Sequence, residues 1–212
     1  SAILAQMTYG DLLYRVQAEH LTIFGTLLGA RGTILLLGPH EPGFWPALCD
    51  SPEWRDGAAD PVDRWSRRVI TGLADGLEAR VHFPFGAEQA PFLTWAMASD
   101  RAWISPVGML VQANAGLMVS YRGALELDWE IQTPEAPTYP CASCAAPCTT
   151  ACPVGALQGK QYAVEACRSY VQSDPLQRCL TTGCLARRAC PISQAYERDA
   201  AQSAYHMREF LN

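Results

Sequence analysis

The chain has 212 residues, 49% of them hydrophobic, which is enough for one large domain or two small ones with an ordinary buried core. Its formal charge of −5 combines fifteen arginines with a single lysine, Lys160, and no basic run exceeds Arg67-Arg68 or Arg187-Arg188. No basic face for a phosphate backbone is therefore expected, and nucleic acid is excluded as a partner at this level. The longest apolar stretch, Leu21 to Leu37, is broken by Arg31 and by small residues. Neither a membrane span nor a secretory leader is expected, and the protein reads as soluble and cytoplasmic.

In chain order, residues 4–29 carry apolar positions at helical spacing (Leu12, Leu13, Val16, Leu21, Phe24, Leu27, Leu28), and "GTILLLG" after them reads as a buried strand. Gly25, Gly29 and Gly32 do not spell a dinucleotide fingerprint and are read as packing or capping glycines at the helix end. Asp60-Pro61 opens a capped helix over "VDRWSRRVITGLADGL", followed by a strand in "EARVHFPF" and a helix in "APFLTWAMAS". "WISPVGMLVQ", "GLMVSYRG" and "ALELDWE" read as strands with glycine punctuation. Alternating helices and strands predict an α/β (α+β) layer with a central sheet over residues 1–136. "TPEAPTYP", with three prolines in eight residues, reads as a linker before a cysteine-rich domain over 137–212.

Eight of the nine cysteines lie between Cys141 and Cys190, and Cys49, the outlier, reads as a buried thiol. An odd total without a secretory leader argues against a disulfide framework and for metal. Cys141-x2-Cys144-x3-Cys148-x3-Cys152-Pro153 differs by one inserted residue from the C-x2-C-x2-C-x3-C-P run with which bacterial ferredoxins hold cubane iron-sulfur clusters. Small, uncharged residues between the cysteines let backbone N–H groups approach cluster sulfurs. Cys167, Cys179, Cys184 and Cys190 form a second group that also ends in Cys-Pro. Crossed ligation, as in two-cluster ferredoxins, assigns Cys141, Cys144, Cys148 and Cys190 to one [4Fe-4S] cluster and Cys152, Cys167, Cys179 and Cys184 to another. A single cubane with spare cysteines and a structural four-thiolate zinc site are the alternatives. Arg168, Arg187 and Arg188 lie close to these ligands in sequence and could offset the cluster charge, or form a solvated helix face.

"GALQGK" fails as a phosphate loop, because its spacing is one residue short and Gln161 replaces the metal-holding Ser or Thr. His20, His40, His82 and His206 are too scattered for a metal set, which leaves His40 and His82 as pocket candidates. Trp45, Trp54, Trp65, Trp95 and Trp103 are read first as core and second as walls for a flat ligand.

"CASCAAPCTTACPVGAL" with the following "CRSYVQSD" resembles the iron-sulfur half of epoxyqueuosine reductases and their relatives, and residues 90–125 resemble a segment of that family's cofactor domain. The resemblance covers about residues 80 to 192 and implies a nitroreductase-like N-terminal domain joined to a small ferredoxin-like domain. It implies cobalamin, or less directly flavin, as a cofactor reduced through the clusters, with Trp103 and Tyr121 as cofactor contacts and Glu88 in the position of a general acid. Ser105-Pro106 replaces the family's glycine-lysine, and no tRNA-binding face is evident. Two functions follow. The chain is either a reductase acting on a small-molecule substrate or on the corrin itself, or an electron-transfer or cofactor-handling protein that docks a redox partner and does no chemistry of its own.

Overall fold

The computed structural model describes residues 6–87 and 90–212. The elements run α1 (Tyr9–Ala18), β1 (Leu21–Leu28), β2 (Thr33–Pro39), α2 (Phe44–Cys49), α3 (Pro52–Arg55), α4 (Pro61–Leu77), β3 (Arg80–His82), α5 (Phe92–Ala98), β4 (Ala102–Ile104), β5 (Leu110–Gln112) and β6 (Gly123–Glu126). After a 3-10 turn at Pro147–Thr149 come β7 (Leu157–Gln158), β8 (Gln161–Tyr162), α6 (Val164–Ser173), α7 (Arg178–Thr182), α8 (Leu185–Ala189), α9 (Pro191–Ala195) and α10 (Ala200–Leu211). The fold is mixed α+β. No helix among the described residues is long and apolar enough to cross a membrane.

The chain divides into two compact units, Ser1–Arg101 with Ser120–Pro137, and Ala102–Val119 with Thr138–Asn212. This differs from the expected partition into 1–136 and 137–212, because the hairpin of β4 and β5 belongs with the cysteines. The cause is a set of bonds to its backbone. Arg187 donates to the Leu117 carbonyl and Arg198 to the Met118 carbonyl, each at 3.1 Å, and the Leu117 N–H donates to Ser193 Oγ at 2.9 Å. Trp103 packs on Tyr139, whose hydroxyl donates to the Ile104 carbonyl. The expected linker stays with the first unit, where Arg101 donates to the carbonyls of Pro134 and Glu135.

In the first unit four strands pair in the order β1-β2-β6-β3, every pairing antiparallel. All seven residues of β2 are buried, as expected for a central strand covered on both faces. Thr8 and Asp11 close a capping box that starts α1. The helix predicted over 4–29 ends at Ala18, and His20, with φ 57°, turns the chain into β1. In "LTIFGTLL" the β-branched and aromatic residues favour the pleated surface, and a short, nearly continuous apolar run has no period that separates helix from strand. The glycines read as helix-end residues consequently serve the sheet: a side chain at Gly25 would strike Ser99 Oγ, and one at Gly29 would strike Ile34. The strand expected in "GLMVSYRG" is also absent. The chain turns from Ala113 to Met118, and β6 begins only at Gly123.

A bulge in β1 falls between Ile23 and Gly25, opposite Leu37 and Leu36, so Phe24 is the added residue. Its ring covers Gly38 of β2, where a built Cβ would come within 2.0 Å of the ring and 2.7 Å of the Ser120 carbonyl. Gly38→Ala should therefore destabilise the protein by about 1–3 kcal/mol through overpacking, read as a lower urea midpoint with an unchanged slope; wild-type stability would show that the bulge yields to accommodate the methyl group.

Candidate metal centre

The second unit holds the eight clustered cysteines, and its core sits around them. Cys148 and Cys190 are buried in an apolar cluster with Val107, Val111, Leu117, Leu157 and Ala186, while Cys141 and Cys184 pack at its edge. Three members of that cluster come from the β4–β5 hairpin and the turn after it. Gly116, at φ 58°, presents bare backbone to the site, and a side chain there would come within 3.0 Å of Cys190 Sγ and 2.6 Å of the Ser193 N–H nitrogen. The hairpin is thus one wall of the thiol site, a role that residues 102–119 do not announce in sequence.

Burial is the first reason that Cys141, Cys148, Cys167 and Cys179 titrate high, and repulsion from neighbouring thiolates adds to it. Burial pushes Cys141 up, and Cys190 and Cys144 push it further. Burial raises Cys148 in the same way, with Cys190, Cys141 and Cys144 adding to it. For Cys167 the reinforcing neighbours after burial are Cys184 and Cys152, and for Cys179 they are Cys184, Cys167 and Cys152. The cysteine neighbours that raise each of these four thiols come from its own set, while Arg178 also interacts with Cys179. The sets are Cys141, Cys144, Cys148 and Cys190 on one side and Cys152, Cys167, Cys179 and Cys184 on the other.

Each set also meets hydrogen-bond donors. The Ala146 N–H donates to Cys144 Sγ at 3.4 Å and the Ala156 N–H to Cys152 Sγ at 3.3 Å. The inserted Pro147 follows Ala146, which adopts a left-handed conformation at φ 50° and turns the extra residue of the loop outward into the 3-10 turn. The Leu185 N–H lowers Cys179 against its burial. The hydroxyl of Tyr139 lies at Cys141 and that of Tyr162 at Cys167, each opposing the rise that burial causes in its thiol. Tyr162 stacks on Phe210 of α10, and Arg168 of α6 spans the Phe210 ring and donates to the carbonyls of Phe210 and Leu211. Neither tyrosine was apparent as a site residue from spacing alone, because each approaches its cysteine only after the chain has turned.

Among the described residues no three His, Cys, Asp or Glu side chains converge closely enough to hold one metal ion. Glu88 lies outside the described residues. Trp103 and Tyr121, paired as cofactor contacts, belong to different units. Trp103 packs on Tyr139, whereas Tyr121 makes ring contacts with Phe24 and Phe92, and burial drives its hydroxyl well above the usual phenol range. Cys49 is half-buried at the end of α2 and belongs to neither set.

The loop that delivers Cys179 is held by Asp174. Burial acts to raise this carboxyl, but it is held at about 2 by the N–H and guanidinium of Arg178, the N–H of Leu176 and the hydroxyl of Tyr170. Because the folded value lies below the ordinary 3.8, the stabilisation is complete above the unfolded value and is lost as pH falls through the folded one. The urea midpoint of Asp174→Asn should therefore sit below wild type near neutrality and converge with it between about pH 4 and pH 2; a gap that does not change over that interval would mean the charge of Asp174 is not what holds the loop. Comparison with protein-family models, curated proteins and solved structures gives no match to this chain.

Proposed function

We propose that this chain is an iron-sulfur electron-transfer protein whose second unit carries two [4Fe-4S] clusters, one on Cys141, Cys144, Cys148 and Cys190 and the other on Cys152, Cys167, Cys179 and Cys184. The observation that carries the reading is the partition of eight thiols into two sets of four, crossed in sequence, with N–H donors at sulfurs of both. What supports this donor chemistry is four soft thiols in each set, with a backbone N–H donating to Cys144 Sγ in one and to Cys152 Sγ in the other. In this reading the second unit is a ferredoxin-like module, and the first is the nitroreductase-like domain that the resemblance implies.

When bound, a cubane supplies a reversible one-electron store. The rest is the work of this chain's residues. The thiolates bind iron and lose their protons in doing so. The hairpin residues Val107, Val111 and Leu117 keep water from Cys148 and Cys190. The N–H groups of Ala146, Ala156 and Leu185 offset negative charge at sulfur, which favours the reduced state. Cys148 and Cys152 are four residues apart and serve opposite sets, so the chain itself limits their Cα separation to at most about 14 Å. Electron exchange between the sets is the use of that proximity. The external partner is a redox protein or a small molecule, in the reducing cytoplasm that such thiols require. Corrin and flavin rest on the resemblance alone and stay outside this proposal.

Protein purified without oxygen should contain about eight iron and eight sulfide per chain, with a broad visible absorption that bleaches on reduction. Cys144→Ser and Cys184→Ser should each lose about half of the iron and leave different clusters behind, distinguishable by electron paramagnetic resonance. Zinc without sulfide would sink the proposal, and loss of all iron from both variants would replace two clusters with one. Tyr162→Phe should keep its iron and shift one cluster to a lower reduction potential, because a donor at Cys167 is gone; an unchanged potential would remove Tyr162 from the site.

A further inference from the structure

The first unit contains a pocket of about 690 Å³ that the thiol chemistry does not use, a volume inside the range of about 300–1,000 Å³ typical of small-molecule sites. Its walls come from α4, β3 and α5, and the residues that give it chemical character are Arg67, His82, Phe83, Phe85 and Trp95. Three aromatic rings in one small pocket favour a flat ligand, because offset and edge-on ring contacts add to the apolar area buried. Phe83 and Phe85 lie 5.1 Å apart between centroids, and the guanidinium of Arg67 spans both, 4.6 Å from the first and 5.4 Å from the second.

Arg67 is exposed and takes part in no ion pair among the described residues. Asp63, one helical turn earlier on α4, is engaged by Arg122 at 3.1 Å. The cation is therefore held in place by two rings while its charge stays available, and a guanidinium so fixed can present paired N–H donors to a carboxylate or phosphate. The second polar group is His82, at the end of β3. Its Nε2 faces Glu126 Oε2 at 3.1 Å, and the ring meets Trp95 edge-on at 5.2 Å. Glu126 is buried, which acts to raise its carboxyl, but its bonds from His82 and the Arg31 N–H outweigh that and hold it low. An ionised Glu126 accepts from Nε2–H, so the imidazole is oriented from behind and its Nδ1 remains for a ligand.

We propose that this pocket binds a planar aromatic anion, its ring held by Phe83, Phe85 and Trp95, its carboxylate or phosphate by the guanidinium of Arg67, and its polar edge by His82. The aromatic walls select the ring, and the Arg67 guanidinium, which forms no ion pair among the described residues, selects the charge. Carboxylate and phosphate share this chemistry, and the choice of probes separates them.

The test is calorimetric titration of the full-length chain with 2-naphthoate, 2-naphthyl phosphate and the neutral 2-naphthamide. At least one anion should bind at least about tenfold more tightly than the amide, the effect of one charge-assisted contact, and the preferred anion identifies the head group. Arg67→Gln should weaken the anion to the level of the amide while leaving the amide unchanged, and Arg67→Lys should restore part of the difference. The comparison among the three probes uses the unaltered protein, so it does not depend on how a variant folds. Absence of binding by all three, equal binding of amide and anions, or full anion affinity in a folded Arg67→Gln would each overturn the proposal.

Discussion

Burial of thiols is the constraint around which the second unit is built, and the proposed clusters would require those thiols as anions. Cys148 and Cys190 sit inside the apolar cluster that is also the unit's core, so the residues that stabilise the fold are those that surround the proposed ligands. Such a site needs donors at sulfur to offset the cost of charge in a low dielectric. The chain supplies them from short loops, where N–H groups are not committed to helices or strands: Ala146 beside the inserted proline, Ala156 after Cys-Pro, and Leu185 at the start of α8. The Tyr162 hydroxyl adds a side-chain donor at Cys167, whereas the Tyr139 hydroxyl, close to Cys141, donates to the Ile104 carbonyl.

That constraint explains why the unit is discontinuous in sequence. The hairpin at 102–119 supplies Val107, Val111 and Leu117 to the apolar cluster around Cys148 and Cys190. Its attachment is polar where it meets the arginines and apolar where it meets the sulfurs: Arg187 and Arg198 take the carbonyls of the turn, whereas Val107, Val111 and Leu117 face the core. Arginines near the ligands, read from sequence as charge compensation or solvated surface, therefore divide their work. Arg187 fixes the hairpin, and Arg168 clamps the end of α10 through Phe210.

The first unit solves a different problem. Its sheet is held by a fully buried central strand, and the buried carboxylate of Glu126 meets His82 Nε2 and accepts from the Arg31 N–H. This leaves the imidazole oriented at the mouth of an aromatic pocket whose cation, Arg67, is pinned to two rings. The two units thus carry separate chemistries, thiolate in one and aromatic and cationic in the other.

The sequence by itself determined that eight of the nine cysteines fall between Cys141 and Cys190, and likeness to two-cluster ferredoxins gave the crossed grouping that the proposal uses. It also determined the helices at Pro61–Leu77 and Phe92–Ala98, through proline at the start of each and apolar period, although Asp60 makes no side-chain cap. It misled over Leu21–Leu28, since an apolar run of eight residues has the same composition in a buried helix and a bulged strand, and only pairing with β2 decides between them. What tertiary structure alone decided is the company each residue keeps over long separations: the hairpin as a wall of the thiol site, Tyr162 at Cys167, His82 at Glu126, and Trp103 and Tyr121 in different units. Such contacts join residues through burial and hydrogen bonding across tens of positions, and no local spacing encodes them.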